Sequence, residues 1–197
     1  MRAHIRGFML KPVFISLVII GIGTYNAINI GWYPIARVNS EIISAKRFNE
    51  AEEFAVQYYQ TISNTRGVSE SDIINSPAYR QEIRRATLDK LIENELIYAE
   101  LKHRVGPRLD ALIETKLSTI STSGEDFNEA VSLIYGLTLD RFQEAILIPQ
   151  AHEEILKERF FTENISFEEW VISIRKDARV LIFEPEFVWV DGQVALQ

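Results

Sequence analysis

No charged residue occurs between Lys11 and Arg37, and a run of that length has few places to go in a folded chain. Its apolar centre, Val13-Phe14-Ile15-Ser16-Leu17-Val18-Ile19-Ile20-Gly21-Ile22-Gly23, passes into a more mixed stretch that ends near Trp32 and Tyr33. A helix needs about 20 predominantly apolar residues to cross the hydrocarbon of a bilayer, and Pro12 to Tyr33 supplies them. Arg2, Arg6 and Lys11 precede the run, and a basic head of this kind holds the N-terminus in the cytoplasm while the downstream chain crosses. Trp32 and Tyr33 then fall where an aromatic belt forms, at the far interface.

An uncleaved signal anchor is the favoured reading. A cleaved signal peptide has a shorter apolar region and a small-x-small cleavage site, and Gly21-Ile22-Gly23 is a poor version of one. A buried core helix of a soluble protein is the third alternative. A lipoprotein anchor is excluded because the chain contains no cysteine. The expected organisation is a cytoplasmic basic segment over residues 1–11, a transmembrane anchor over 12–34, an extracytoplasmic domain over 35–190 and a tail over 191–197. Whether the segment from Asp191 to Gln197 is ordered stays open at this level.

Charge divides along the same boundary. Arg2, Arg6, Lys11 and Arg37 are the only charged residues among the first 39, so 17 of the 21 basic residues remain beyond them against all 28 acidic ones, a balance of −11. Such a surface repels phosphate backbones and anionic lipid headgroups, which argues against nucleic acid as a partner. Roughly 160 residues outside the membrane suffice for one domain that buries about 70% of the unfolded chain's surface. Without disulfides or thiol chemistry, the fold rests on its apolar core.

Beyond the anchor, two short β-prone pieces flank a turn at Asn39-Ser40. Ser44 can cap a helix whose residues Phe48, Ala51, Ala55, Tyr58 and Ile62 recur on one face. The polar stretch from Ser63 to Asn75 reads as a loop. Ser76-Pro77 opens the next helix, with the stripe Leu88, Leu91, Ile92, Leu96 and Ala99 up to Gly106-Pro107. Leu109, Leu112, Ile113, Leu117 and Ile120 repeat those offsets, and two such helices joined by a short connection are expected to pack antiparallel. Ser123 and Asp126 bracket a capping box for a short helix with Phe127, Ala130, Val131 and Ile134, stopped at Gly136.

Thr138 begins a longer helix through Phe142, Ala145, Ile146, Ile155 and Leu156, which Pro149 is expected to kink or split. A last helix spans Phe167 to Asp177 with Trp170, Val171 and Ile174. The β-prone runs Arg179 to Phe183 and Glu186 to Val190 come after it. The expected fold class is therefore mostly α, an N-terminal transmembrane helix followed by a multi-helix domain. Its short terminal strands are marginal alone and should pair with each other.

Val38-Asn39-Ser40-Glu41-Ile42-Ile43-Ser44, followed by a helix carrying Phe48, resembles the opening of the SurA and PrsA family of extracytoplasmic chaperones. In that family a valine-asparagine-glycine-glutamate strand-turn leads into the first helix, and Ser40 stands here where the glycine is usual. Leu88 to Ile97 is similar to the family's helix with repeated Leu-Ile pairs. Thr138-Leu139-Asp140-Arg141-Phe142 resembles the start of its long helix, and Trp170 with Ala178 to Ile182 resembles its closing tryptophan helix and strand. The resemblance spans roughly residues 35 to 183. It implies a helical, SurA N-domain-like chaperone core whose last strand returns to the first. Isomerases of the family carry a parvulin domain between the long helix and the tryptophan helix. Here nine residues, Phe161 to Glu169, separate Phe160 from Trp170, too few for a domain.

Other chemistry is equally thin. His4, His103 and His152 fit no metal-ligand spacing. His152-Glu153-Glu154 reads as an exposed helical charge run, and His103 sits where it complements a helix dipole. No G-x-S-x-G elbow or phosphate-binding glycine loop occurs. Glu93, Glu95 and Glu100 read as a solvated helix face. No enzyme activity, cofactor or metal is expected. What remains is capture of unfolded or exported polypeptides on apolar surface rimmed by polar groups. At about 25 cal/mol per Å², a shared burial of 200 Å² is worth around 5 kcal/mol before ordering costs. The candidate contacts are Tyr59 and Phe161 first, then Tyr58, Phe127, Tyr135, Phe142 and Phe160. The expected function is a membrane-anchored, non-catalytic chaperone acting outside the cytoplasm, with basic clients favoured. The alternative is an assembly factor that binds one specific membrane or envelope protein.

Overall fold

The structure is a computed structural model and describes residues 31–65, 74–119 and 125–197. The expected cytoplasmic segment, nearly all of the expected anchor, Ile120 and the Ser123 end of the capping box lie outside the described residues. Among the described residues, no helix is long and apolar enough to cross a membrane.

Strands β1 (Pro34–Val38) and β2 (Glu41–Ser44) form the expected hairpin, and β3 (Val180–Ile182) adds to the other side of β1. Both pairings are antiparallel, with Arg37 opposite Ile42 on one side and Leu181 on the other. The two ends of the domain are thus joined as the sequence predicts. The hairpin turn has its left-handed residue at Asn39 (φ 54°), while Ser40 does not enter that region. A glycine is therefore not required at position 40, because asparagine tolerates the left-handed conformation one position earlier. Asn39 is also tied to the closing strand. Its N–H donates to Arg179 O (2.8 Å), and Arg179 N–H donates to its Oδ1 (3.2 Å).

Helix α1 (Ala45–Thr65) starts directly after β2, with Ser44 Oγ accepting from Arg47 N–H at 3.3 Å. Helix α2 (Pro77–Val105) is capped by Ser76, whose side chain accepts from Tyr79 N–H. Arg47 pairs with Glu95, Arg84 with Glu52 (2.7 Å), and the Tyr59 ring meets Tyr79, so α1 and α2 run antiparallel. After a 3-10 turn at Gly106–Arg108 come α3 (Leu109–Thr119) and α4 (Glu125–Tyr135), the latter ended by Gly136 at φ 68°.

Pro149 does not split the next helix. Helix α5 (Leu139–Phe142), a π segment (Gln143–Leu147) and α6 (Ile148–Thr162) succeed one another without interruption. Proline has no N–H to donate to the preceding turn. The chain widens just before it, with Ile148 N–H reaching Gln143 O, and Pro149 occupies the first turn of α6, where the missing donor is tolerated. Helix α7 (Phe167–Asp177) is capped by Ser166.

Strand β4 (Phe187–Val190) is followed by β5 (Gln193–Leu196), so the expected tail is ordered as half of a hairpin. Asp191 (φ 50°) and Gly192 (φ 83°) make its turn with the positive φ pair that two-residue hairpins favour.

Three apolar clusters hold these elements. In the first, Ala36, Val38, Ile43 and Phe48 pack with Leu88, Leu91 and Ile92 of α2 and with Phe187 and Val194 of the hairpin. In the second, Ile97, Leu101 and Val105 of α2 meet Leu109, Ile155, Leu156 and Phe160. The third gathers Val131, Leu137, Phe142 and Leu147. Ala99, assigned to the buried stripe, is exposed, and Ile97, Leu101 and Val105 are buried instead. The buried face of α2 rotates because its partner changes from the sheet to α6. Arg104 bonds Glu163 (2.5 Å) and the Tyr98 ring lies beside His152, so α6 runs alongside α2 in the same direction. Lys116 reaches back to Glu154 and Glu158, so α3 runs against both, as its matching stripe predicts.

The carboxylates expected on a solvated face are engaged. Glu95 is only 9% exposed and paired with Arg47. Glu100 binds Arg104 (2.5 Å), and Glu93 binds Lys90 (2.7 Å) and Arg175 (2.8 Å). Arg175 of α7 also bonds Asp89 (2.6 Å), donates through Nε to Gly192 O (2.7 Å) and lies 5.6 Å from the Trp189 ring centre. Asp89 in turn accepts from Val194 N–H (2.9 Å). One guanidinium therefore fastens α7, α2 and the last hairpin together. Removing Arg175 from such a largely buried cluster leaves Asp89 without a counter-ion and Glu93 with Lys90 alone. Arg175→Met is expected to lower urea-unfolding stability by about 3 kcal/mol. Lys116→Ala, at an exposed pair, should change it by less than about 1 kcal/mol.

Candidate functional site

A groove of about 740 Å³ opens between α1, α2 and the α5–π–α6 run. Its existence follows from small residues at facing positions. Ala51 and Ala55 lie one turn apart on α1, Ala86 faces them from α2, and Ala145 lines the third wall from the π segment. Side chains of ordinary size at these positions would fill the space. Ile83, Leu91, Ile146 and Pro149 make the rest of its surface apolar.

Aromatic rings run continuously along and beneath one side of it. Tyr79 of α2 meets Tyr59 edge-on (6.2 Å between centroids), and Tyr59 meets Tyr58 in the same way (5.8 Å). Tyr58 stacks on Tyr135 of α4 (5.5 Å, 10° between planes). Tyr135 packs on Phe142 (4.9 Å), and Phe142 on Phe127 (6.1 Å). The four tyrosines line the groove, and the two phenylalanines anchor the row in the third apolar cluster. Each phenol presents a broad apolar face with a polar tip, suited to varied partners at low ordering cost. Burial, reinforced by the neighbouring Tyr58 phenol, pushes the Tyr135 hydroxyl above its ordinary value.

Charges at the rim are largely cancelled. Arg47 pairs with Glu95, Arg141 with Glu50 (2.5 Å), Lys90 with Glu93 and Arg85 with Glu82 (2.6 Å). The hydrogen bond from Arg85 holds the Glu82 carboxyl below its usual range. Glu144 is the lining carboxylate without an ion pair among the described residues. Among those residues, no group of His, Asp and Glu side chains is arranged to hold a metal. Shape and apolar contact dominate the site's chemistry.

The sequence-derived contacts divide. Tyr58, Tyr59 and Tyr135 line the groove, and Phe127 and Phe142 support it from below. Phe160 presents no surface at all, being fully buried against Phe167 and Trp170 under the Arg104 guanidinium. Phe161 is 86% exposed at the far end of α6, 12 positions from Pro149, which is about 18 Å along a helix. Tyr79 joins the site without a signal in the apolar stripes. Its position in the first turn after Ser76-Pro77, on a helix antiparallel to α1, is what brings it opposite Tyr59.

These features define a helical domain, closed by its own terminal strands, with an open aromatic groove. The chain belongs to the family of SurA-like N-terminal domains, whose model matches residues 1–122, more than half of the 197. That match takes in β1, β2 and α1 to α3, and hence the α1 and α2 walls of the groove. No curated protein and no solved structure matches the chain. A domain of this family fits the binding of polypeptides in general.

His152, on α6 beside the Tyr98 ring (5.1 Å), belongs by sequence pattern to an exposed charge run and is half-buried instead. Its Nε2 is buried without a hydrogen-bond partner, and burial pushes its pKa below the ordinary 6.5. The unfolded chain therefore takes up a proton more readily than the folded one. The stability associated with the neutral imidazole is complete above pH 6.5 and is lost as the pH falls from there through the lowered folded value. Urea titrations of the native protein and His152→Gln should diverge across that window, the native protein losing more stability with acid.

Proposed function

We propose that this protein is a membrane-anchored, extracytoplasmic chaperone that holds unfolded or exported polypeptides in the tyrosine-lined groove and catalyses no reaction on them. The observation that carries this reading is the unbroken row of rings from Tyr79 to Phe127 beside an open groove with alanines on all three walls. Each apolar client side chain that docks there gains about 1.5–3 kcal/mol from burial alone. One or two such anchors, less the ordering terms, give weak and reversible capture. Membership of the SurA-like family supports a polypeptide ligand.

A reading without catalysis is supported by the groove's lining, in which phenols, alanines and paired ions predominate. It is further supported by the short α6–α7 connection, where family isomerases carry their catalytic domain. The basic head and uncharged run at residues 2–36 support a signal anchor with the domain outside the cytoplasm. The acidic balance of the chain favours clients with basic segments, an effect that salt weakens.

Ala86→Trp tests the groove without deleting a core contact, because Ala86 is exposed on its wall. The full chain in nanodiscs should delay aggregation of several unrelated unfolded proteins. The variant, with an unchanged unfolding midpoint, should need about tenfold more protein for the same protection. Equal protection by the variant would remove the groove from the reading. Indifference to every client, with tight capture of one envelope protein, would replace the chaperone by an assembly factor.

A further inference from the structure

The outer face of the β2-β1-β3 sheet carries apolar side chains that no element among the described residues covers. Register places Ile42, Arg37 and Leu181 side by side across its three strands, on the face opposite the buried Ala36, Val38 and Ile43. Ile42 is 60% and Leu181 50% exposed, and Phe183, just past β3, is 51% exposed. Phe183 N–H donates to Ile35 O, which sets it at the end of the sheet where the chain enters β1. Trp32 (68% exposed) and Tyr33 lie at that same end. Their position is fixed, because Lys46 N–H donates to Gly31 O and Ala45 N–H to Tyr33 O. Gly31 (φ 75°) permits this approach, since a Cβ there would lie 2.9 Å from Lys46 N.

Two cations complete the face. Arg37 stands at the centre of the row, and Arg179 precedes Leu181 by two positions, the same-face spacing of a strand. Neither has an ion-pair partner among the described residues, in contrast to the paired rim of the groove. Exposed Trp, Tyr, Phe, Leu and Ile with unpaired arginines form the composition of a surface that lies in the headgroup region of a bilayer. The uncharged run of residues 12–36 leads directly into it.

We propose that the outer face of this sheet is a second, peripheral membrane contact, which lays the domain on an anionic bilayer beside its anchor. The proposal rests on reading the N-terminal run as that anchor. The sheet contact sets orientation. Ala51 and Leu91 belong both to the packing beneath the sheet and to the groove wall, so the groove opens on a side other than the membrane-facing one. The domain's acidic balance keeps the remaining surface off anionic headgroups, while Arg37 and Arg179 are drawn to them.

The chain contains no cysteine, so single cysteines can be labelled without background. Full-length Ile42→Cys, Leu181→Cys and Asp110→Cys, each carrying an environment-sensitive fluorophore, are reconstituted in phosphatidylcholine–phosphatidylglycerol vesicles with a nitroxide lipid. Asp110 is exposed on α3, away from the sheet. Quenching at 42 and 181 should exceed that at 110 by at least about threefold, and Arg37→Glu with Arg179→Glu should bring it down towards the level at 110. Vesicle flotation separates the two readings. Protein that floats with all three probes equally aqueous overturns the sheet contact and leaves the anchor standing. Protein that fails to float overturns the anchor, and the sheet contact with it. Shielding of 42 and 181 only after a second membrane protein is added also overturns the proposal, in favour of a protein interface.

Discussion

Helix α2 cannot hide its apolar residues against any single neighbour, and the rest of the fold is arranged around that constraint. Its 29 residues extend for about 44 Å, and successive parts of that length meet different partners. Ile83, Leu88, Leu91 and Ile92 turn towards the sheet and α1, whereas Ile97, Leu101 and Val105 turn towards α6. The change of partner occurs around Glu95 and Leu96. Glu95 is enclosed there and requires Arg47 from α1 as its counter-ion. Two apolar clusters in series on one helix make the domain a single unit, because neither cluster can open without exposing one half of α2.

Closure of the chain adds what strands of three to five residues lack. The sheet is too small to persist alone. It survives because its inner face rests on α2 and because β1 receives β2 and β3 on its two edges. Arg175 then locks the closing half. Its guanidinium satisfies two α2 carboxylates, one hairpin carbonyl and the face of Trp189 at once. Asp89 is shared between that guanidinium and the backbone of β5. The hairpin after β4 is consequently part of the domain's packing.

The groove is the space that this arrangement leaves over. Antiparallel α1 and α2 meet at Arg47–Glu95 and Arg84–Glu52, and alanines between those pairs keep the helices from filling the gap with side chains. The widened turn before Pro149 brings Ala145 and Ile146 to the third wall while turning Phe142 and Leu147 into the core. Tyrosines at the edge keep the surface apolar yet soluble. Cancelled rim charges leave apolar contact as the main interaction the groove offers.

Local pattern is enough for much of this. Asn39-Ser40, Ser76-Pro77, Gly136, Thr138 and the Phe167–Asp177 helix are legible because turns, caps and amphipathic stripes depend on neighbours within a few residues. So is the return of the Arg179–Phe183 run to the first strand, since isolated short strands need partners. Asp191-Gly192 carries a hairpin signal of the same local kind, although its place near the end of the chain suggests the start of a tail. What residues far apart in the chain do to one another is not legible. The exposure of Ala99, the enclosure of Glu95 and the burial of Phe160 depend on which helix covers which turn of α2. Tyr58, Tyr59 and Tyr135 are recognisable as aromatic surface, but only packing could gather them into one row with Tyr79 and send Phe161 to the opposite end of α6. The sequence by itself determined the elements and their ends, because these follow from backbone chemistry at short range. The tertiary structure alone decided the groove, because a void is defined by the side chains that are missing between distant helices.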